Sequence, residues 1–441
     1  MAKTNDFGLF GWDTQSGNLA RSMGALGAGI GIFPGEGGSI EELEGQGIVS
    51  VSSLESLLGS LLPPRILILR VPAGSDQQLK TAEALALLDP DDVIIDISDS
   101  WFRDTSARAR LVAAAKVHFM AVGLGASENT ARPLLMAGGG PDAFQRTSRF
   151  FRVAGPVASL GAGPSGHFIK MVHAAVETAF GEIVREVQSL LQRGLAGDGG
   201  EFVRALPSDP LFNYVRPGAA PLSTSESNGK AGRWAASAAR ELGVPVLTLE
   251  AVSGARAWKN REALDEPFCQ PHGARRTDRE SLVAQAHAAL VVAAIVAYTE
   301  GLALLATASD RFGLHVDIPE TLRIWRGGVI GRGRLLDEIQ AAFNLTPGLP
   351  NLLFDDDFSE KVMGLQELMR HALTRADEWN LATPALAAAV HYIDTFRDAW
   401  LPINLVQPGN FHWAPRSSRA IAIEPLESET EYGPITGRPL L

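Results

Sequence analysis

Apolar side chains recur at steps of three and four residues along residues 161–193, a spacing that predicts a long helix with a broad apolar stripe. Glycines and a proline break the chain just before it, and Gly194 follows its last turn in C-cap position. Lys170, His173 and Glu177 lie at i, i+3 and i+7, so they project from one face within two turns. Partial burial of such a set suits proton transfer, since it moves Lys and Glu pKa values toward neutrality. The alternative is a surface ion pair beside a hydrogen-bonded histidine.

The first third of the chain alternates apolar runs with segments of helical pattern. The runs cover residues 6–10, 30–33, 65–71, 92–97 and 117–122. The helical segments between them include residues 40–44, 54–58 and 77–88. Continuous apolar strands that alternate with helices predict an α/β domain with a parallel, doubly wound sheet of Rossmann type. Such a sheet binds dinucleotides at the carboxyl ends of its strands.

A glycine-containing turn follows the first run. The usual fingerprint, G-x-G-x-x-G, packs a pyrophosphate against the start of a helix. Here the glycines are Gly8, Gly11 and Gly17, which predicts a stretched turn before a helix that begins at Asn18. The signal is weak by itself, and the surrounding alternation of strands and helices strengthens it. We therefore expect these four residues to contact a cofactor.

The remainder of the chain predicts mainly helices. Residues 286–307 are apolar nearly all round, which is typical of a buried helix. Residues 408–441 are rich in proline, glycine and charge, and predict a tail without its own core. We expect a dinucleotide-binding domain over residues 1–162, a large all-α domain for substrate binding and dimerisation over residues 163–407, and this extended tail.

Charge and composition exclude several classes of function. The net charge of −11 on 441 residues argues against non-specific binding to nucleic acid or anionic membranes. The single cysteine, Cys269, excludes an intrachain disulfide and a cysteine-rich metal site, and we predict no metal. The first residues lack the apolar core of a signal peptide, and the most apolar run, residues 286–298, is too short to span a bilayer. We expect a cytoplasmic protein.

The helix sequence GHFIKMVHAAVETAFGEIVREV resembles the signature of 6-phosphogluconate dehydrogenases, whose corresponding helix reads roughly GHFVKMVHNGIEYG. In that family the lysine is the general base, the glutamate is the general acid, and the histidine contacts the substrate. The resemblance implies these roles for Lys170, Glu177 and His173. The family's asparagine and tyrosine are replaced by Ala174 and Thr178, so part of the substrate cradle differs. Similar motifs continue to about residue 413.

The family's landmarks for the cofactor follow in order. After the second strand the family has an arginine that grips the 2′-phosphate of NADP, whereas this chain has Glu36, which can hydrogen-bond ribose hydroxyls. The segment VPAG, with Val71 and Ala73, resembles the VKAG turn near the nicotinamide. Asp99 replaces an asparagine that touches both cofactor and substrate. The resemblance implies a tightly bound NAD that is preferred over NADP. Alternatively, Glu36 only solvates a turn.

The family's anchors for a phosphorylated sugar acid have mostly changed. The resemblance implies substrate contacts at Ser127, Thr178, Lys230, Arg332 and His412. Ser127 aligns with a Ser-Gly-Gly segment, Lys230 is displaced by one position, and the family's tail arginine is missing near His412. A phosphate dianion usually needs several charge-assisted hydrogen bonds. The losses therefore favour a substrate without that phosphate.

Three functions remain open from the sequence. The first is redox-neutral dehydration of a sugar or nucleoside by transient oxidation, loss of water and re-reduction. A divergent branch that the chain resembles is associated with nucleoside antibiotics of the angustmycin type, where this step would form an exocyclic alkene. The second is a decarboxylating or simple dehydrogenase of an altered 3-hydroxy acid, and the third is a non-catalytic binding protein that kept the fold. The resemblance also implies a homodimer in which each tail completes the partner's site.

Overall fold

The computed structural model describes residues 5–35, 40, 43, 47–71, 77–127, 133–155, 157–195, 210–215, 226–256, 278–331 and 334–398. Contacts divide the chain into one unit of residues 1–397 and a second of residues 398–441. All elements below belong to the first unit. The predicted tail lies outside the described residues, and the predicted boundary between residues 162 and 163 stays a prediction.

A seven-stranded sheet forms the amino-terminal part. Its strands are β1 (Phe7–Phe10), β2 (Ile30–Phe33), β3 (Ile48–Ser50), β4 (Ile66–Leu69), β5 (Val93–Asp96), β6 (His118–Gly125) and β7 (Leu134–Gly139). They lie in the order β3-β2-β1-β4-β5-β6-β7, and every neighbouring pair is parallel except β6 and β7. The predicted Rossmann-type sheet is confirmed. The sequence pattern does not predict β3, which is very short, or β7, whose sequence LLMAGG lacks β-branched residues.

Helices cover both faces of this sheet. They are α1 (Thr14–Ala25), α2 (Leu54–Gly59), α3 (Gln77–Leu85), α4 (Phe102–Ala114), α5 (Pro141–Arg146) and α6 (Ser148–Ala154). Neighbouring strand residues belong to different apolar clusters: Leu9 packs with α1 and α6, and Phe10 packs with α2. Because both faces are buried, the strands read as continuous apolar runs. The helix predicted over residues 40–44 falls mostly outside the described residues.

The second part of the chain is helical. Its helices are α7 (Ser165–Gly194), α8 (Glu226–Leu242), α9 (Leu247–Arg256), α10 (Arg279–Phe312), α11 (Ile318–Trp325), α12 (Arg334–Leu345), α13 (Asp356–Glu378) and α14 (Pro384–Arg397). The predicted long helix and the predicted apolar helix are confirmed as α7 and α10, which pack together at the centre of a large apolar cluster. The expectation that the most apolar run is too short to span a bilayer is wrong, because it lies within the longer α10, which by length and composition alone could cross a membrane. The most apolar window of α10 is wholly buried inside the protein.

The start of α7 rests directly on the sheet. A Cβ atom on Gly166 would lie 2.1 Å from the carbonyl oxygen of Ala121, and one on Gly123 would lie 2.2 Å from the Cβ atom of Lys170. Glycine is needed at both positions because any side chain would force the helix off the strands. Gly166 is thus part of α7, although its sequence predicts a chain break before the helix. This contact sets Lys170 beside the carboxyl end of β6.

Candidate functional site

Lys170 on α7 lies against Asp99, just beyond β5. Its Nζ atom is 3.5 Å from Oδ1 of Asp99, and the two side chains are only 12% and 18% exposed. Burial would raise the pKa of Asp99, but the charges of Lys170 and Arg70 outweigh burial and hold that pKa below its ordinary value. Lys170 therefore faces an ionised carboxylate at neutral pH.

Arg70, just after β4, bridges two carboxylates. Its Nη2 atom lies 2.5 Å from Oδ2 of Asp13 and 3.2 Å from Oδ2 of Asp99, and Nη1 donates to the carbonyl oxygen of Ile97. Burial would lower the pKa of Arg70, but the two carboxylates raise it. Burial would likewise raise the pKa of Asp13, and Arg70 holds it low. Asp13, Arg70, Asp99 and Lys170 thus form one chain of alternating charges, which we call the charge chain.

The turn after β1 is shorter than we predict. Helix α1 begins at Thr14 and not at Asn18, and Asp13 is its N-cap residue. The Asp13 carboxylate accepts from the backbone N–H of Ser16, and the Ser16 hydroxyl accepts from the backbone N–H of Asp13. This capping box starts the helix early. The prediction that the turn extends to Gly17 is wrong, because Gly17 and Asn18 lie inside α1.

Of the three predicted glycines, Gly11 shapes the turn itself. Its φ angle is 72°, and a Cβ atom there would lie 2.2 Å from the carbonyl oxygen of Arg70. Gly8 lies within β1, and Gly17 packs against Trp12. The first strand, Gly11 and the start of α1 therefore form a β-turn-α unit, with Asp13 at the position where an anion meets the helix.

His173 is buried in an apolar setting. It is 1% exposed, and neither ring nitrogen has a hydrogen-bond partner among the described residues. Its ring packs edge-on against Trp325 with 5.0 Å between ring centres. Burial, and then the charge of Lys170, lowers its pKa to about 3. His173 is therefore neutral at physiological pH.

Glu177 is buried on the same face of α7, two turns beyond Lys170. A seven-residue step along a helix spans about 10.5 Å between backbone positions. Burial, and more weakly the charges of Tyr214 and Glu177, raises the pKa of Tyr298, whose hydroxyl donates to the carbonyl oxygen of Ile330 at 3.0 Å. Tyr298 thus connects α10 to the turn after α11.

Buried polar groups hold the base of the site. Nη2 of Arg108 lies 2.6 Å from Oδ2 of Asp96, and both side chains are almost inaccessible. One ring nitrogen of His167 lies 2.8 Å from the Thr105 hydroxyl and the other 3.0 Å from the Asp96 carbonyl oxygen. Burial lowers the pKa of His167, so the ring stays neutral. These contacts tie the start of α7 to α4 and β5.

A cavity of about 960 Å³ opens at the carboxyl ends of β1 and β2. Its lining includes Phe10, Phe33, Pro34, Gly35, Ser50, Ser52, Ser53, Glu55, Lys80 and Glu83. The rings of Phe10 and Phe33 stack at 5.4 Å, and Lys80 pairs with Glu83 at 2.8 Å. The strand order reverses between β1 and β4, and open sheets of this kind bind ligands at such a switch point.

The described residues fit a dinucleotide, except that a negative charge lies at the helix start where the diphosphate would bind. The cavity suits an adenosine half, and the Gly11 turn and the start of α1 suit a diphosphate. Asp13 places an ionised carboxylate at that helix start, where a second negative charge would be repelled. The described residues include no group of three or more His, Cys, Asp and Glu side chains arranged to hold a metal ion.

The other predicted site residues lie in varied surroundings. The backbone N–H of Val71 donates to the Ser98 hydroxyl at 3.0 Å, beside the charge chain. Ser127 forms an isolated bridge with Gly328. The Thr178 hydroxyl donates to the Ala174 carbonyl within α7, and half-buried Lys230 lies on α8. The predicted contacts at Glu36, Ala73, Arg332 and His412 lie outside the described residues.

Two residues of the charge chain are missing from our sequence-based prediction. Arg70 interrupts the apolar run RILILRV, and a charge inside a buried strand is a signal that it has a partner. Asp13 precedes a helical segment and has serine three positions later, which is a capping signal. Neither signal identifies Asp99 as the shared partner.

The sheet has this strand order, a glycine turn lies at its switch point, and a long central helix carries an acid–base set. Together these features define a two-part, dinucleotide-binding class of protein. Two family profiles match: "NAD binding domain of 6-phosphogluconate dehydrogenase" over residues 6–162, and "6-phosphogluconate dehydrogenase, C-terminal domain" over residues 222–409. The chain belongs to the 6-phosphogluconate dehydrogenase family. The chain therefore has an NAD(P)-binding domain and belongs to a family of oxidoreductase enzymes.

Individual relatives align with almost the whole chain. The decarboxylating 6-phosphogluconate dehydrogenase of Synechocystis sp. is 29% identical, and the alignment covers 91% of this chain and 92% of the relative. The enzyme of Ovis aries is 28% identical, with 91% of each chain covered. The fold matches that of Plasmodium falciparum 6-phosphogluconate dehydrogenase with a TM-score of 0.77 at 23% identity, over 91% of this chain and 95% of that one.

Proposed function

We propose that the chain is an NAD-dependent enzyme that dehydrates a neutral, non-phosphorylated sugar or nucleoside without net oxidation. The observation that carries the proposal is the contact between Lys170 and Asp99, in which the lysine charge is balanced by a carboxylate. The family resemblance implies an uncharged asparagine at this position. A site built for an anionic sugar acid benefits from a free cation, whereas a balanced pair suits a neutral substrate.

A small cleft lies beside Lys170, with a volume of about 10 Å³ among the described residues, and the chemistry of its lining supports this choice. Its described residues are Ser98, Asp99, Ser100, Gly123, His167, Lys170, Met171, Ala231 and Trp234. Lys170 and Asp99 cancel in charge, and His167 is neutral because burial lowers its pKa. Trp234 adds an aromatic surface on which a sugar face or a planar base can pack. The described lining therefore favours recognition by hydroxyl hydrogen bonds and apolar contact.

The chemistry follows from two groups at opposite ends of one helix face. A bound nicotinamide cofactor would supply reversible hydride transfer at a carbinol carbon. The Lys170 ammonium first passes its proton to solvent, and the neutral amine then takes the hydroxyl proton as the ketone forms and gives it back at the end. The ketone acidifies the neighbouring C–H bond, so that proton passes to water while Glu177 gives its proton to the departing β-hydroxyl oxygen and regains one from solvent. One water is lost, and hydride and carbinol proton return to their starting atoms.

A second candidate is oxidative decarboxylation or simple oxidation of an altered 3-hydroxy acid. It is favoured by the retained Lys170 and Glu177 and by relatives that carry the name decarboxylating 6-phosphogluconate dehydrogenase. We extend the main proposal to a cytoplasmic homodimer in which the tail from residue 408 completes the partner's site. In both candidates Lys170, His173 and Glu177 act on the substrate.

The deciding experiment follows the fate of cofactor and substrate together. The purified protein is denatured and its supernatant is analysed for NAD and NADH. Separate samples are incubated with neutral hexoses, ketohexose nucleosides and 3-hydroxy acids, while absorbance at the NADH band and product mass are recorded. Dehydration predicts retained NAD, a product lighter by one water and no net NADH. Stoichiometric NADH or release of carbon dioxide would overturn it in favour of the second candidate.

A further inference from the structure

The start of α1 already holds a negative charge. In a dinucleotide-binding sheet this helix start meets the diphosphate through its free N–H groups and the positive end of the helix dipole. Here the carboxylate of Asp13 lies there, bonded to the backbone N–H of Ser16 at 3.0 Å. The side chain is 43% exposed, so it borders solvent at the mouth of the turn.

Asp13 is also held by a buried cation. Nε and Nη2 of Arg70 lie 2.8 Å and 2.5 Å from Oδ2 of Asp13, so two charged N–H groups converge on one carboxylate oxygen. Arg70 is only 8% exposed and has Asp99 as its other acidic partner. A nearly buried guanidinium without enough negative charge would be costly. Asp13 therefore supplies an anion that Arg70 needs when no ligand anion is present.

We propose that Asp13 stands in for a phosphate of the dinucleotide, and that cofactor binding moves its carboxylate away from Arg70, which then contacts the diphosphate. The inference rests on the cofactor binding that we propose above. Arg70 remains paired with an anion in both states, so its contact with Asp99, and through it the Asp99–Lys170 pair, persists. Asp13 thereby determines how tightly a diphosphate binds, and Arg70 provides the cation that receives it.

The exchange makes a specific prediction about charge. Asn and Asp are about equally good N-cap residues, so Asp13→Asn keeps the start of α1 while it removes the competing charge. The variant should bind NAD and ADP about tenfold more tightly, because a carboxylate no longer repels the diphosphate or occupies Arg70. Adenosine has no phosphate and should bind the variant and the natural protein equally. Arg70→Leu should weaken ADP at least tenfold and leave adenosine unchanged.

The test is calorimetric titration of the full-length protein with NAD, ADP and adenosine, after retained NAD has been removed by reversible unfolding and refolding. Asp91→Asn is the matched control, since Asp91 is a surface partner of Arg146 at 2.9 Å and 67% exposed. Its affinities should equal those of the natural protein. Thermal unfolding verifies that each variant is folded, and Asp13→Ser, which also preserves a capping oxygen, repeats the measurement if the asparagine variant does not fold.

Unchanged or weaker ADP binding in folded Asp13→Asn would overturn the inference. So would an equal gain for adenosine, because that result assigns the effect to cavity shape. If no variant binds any of the three ligands, both the exchange and the cofactor proposal fail. If Asp13→Asn tightens ADP binding but no sugar, nucleoside or hydroxy acid is converted, the proposed reaction fails while the exchange of Asp13 for diphosphate is supported.

Discussion

Asp99 contacts Lys170 through Oδ1 at 3.5 Å, while its Oδ2 atom accepts from Arg70. One carboxylate thus balances the lysine of the central helix and also joins it to the residues of the nucleotide turn. Neither side chain is well exposed, so solvent screens their charges weakly. Removing one partner should therefore change the net charge of the cleft enough to be measured in binding experiments.

The first prediction concerns Lys170 itself. Lys170→Met should reduce turnover by roughly 10²–10⁴-fold because it removes the group that takes the hydroxyl proton in the proposed reaction. Unfolding temperature and NAD binding should change little. The control is Lys361→Met, which removes a partly exposed lysine near the start of α13 that is paired with Glu338. Turnover within a few-fold of the natural protein would mean that Lys170 is only an ion-pair partner.

The second prediction tests the balance of charge. Asp99→Asn restores the uncharged residue that the family resemblance implies and leaves the cleft with one additional positive charge. Affinity for an anionic probe such as 6-phosphogluconate should rise about tenfold, while affinity for a neutral hexose should stay within about twofold. Isothermal titration in low and high salt measures both. An unchanged affinity for the anion would contradict the charge argument for a neutral substrate.

The third prediction is a preference for NAD over NADP. Lys80 belongs to the described lining of the cofactor cavity, and it is already paired with Glu83 at 2.8 Å. The sequence also has Glu36 where the family has an arginine. A 2′-phosphate would therefore meet acidic groups and gain little from Lys80. Competitive titration with both cofactors should give tighter NAD binding. Tighter NADP binding would show that an unassigned cation reaches the ribose.

The fourth prediction concerns stability and pH. Glu300 on α10 accepts from the backbone N–H groups of Thr248 and Leu249, yet burial raises its pKa from 4.5 to about 8. The folded chain therefore retains a proton that the unfolded chain has lost, so the free energy of unfolding falls as pH rises through this range. Glu186, whose pKa burial raises to about 7, adds to the trend. The buried neutral His173 acts in the opposite sense, but only below about pH 6.5.

The window from pH 6.5 to 8 isolates the two glutamates. Glu300→Gln should lower stability at pH 6.5, because an amide satisfies only one of the two N–H groups, and it should flatten the pH dependence. The slope should decrease by about 1 kcal/mol per pH unit. Chemical denaturation at several pH values measures this, with exposed Glu378→Gln as the control. Parallel slopes for Glu300→Gln and the natural protein would refute it.

The fifth prediction is a homodimer with exchanged tails. Light scattering at micromolar concentration should give twice the chain mass of 47.0 kDa. Lys170→Met and a chain cut after residue 407 should each be inactive. When they are mixed and allowed to exchange subunits, activity should return, because the intact Lys170 site of one chain receives the tail of the other. A monomer, or no recovery in proven heterodimers, would refute tail exchange.

Local patterns in the sequence determined the main elements. The three- and four-residue spacing of apolar side chains predicts α7, because a helix brings those positions onto one face. For the same reason Lys170, His173 and Glu177 are predicted to share a face, and they do. The continuous apolar runs predict strands buried on both sides, and the sheet has helices on both faces.

Contacts between distant residues were decided only by the tertiary structure. Arg70 lies 57 residues from Asp13 and 29 from Asp99, and the neighbouring positions of β1, β4 and β5 bring the three together. Helix α1 starts early because Asp13 caps it. The spacing of the glycines in the sequence predicts a later start and so misses this cap. His173 becomes neutral because Trp325 and the rest of the helical core remove its water. Sequence periodicity reports which face a residue lies on, whereas charge balance depends on which other chain segments cover that face.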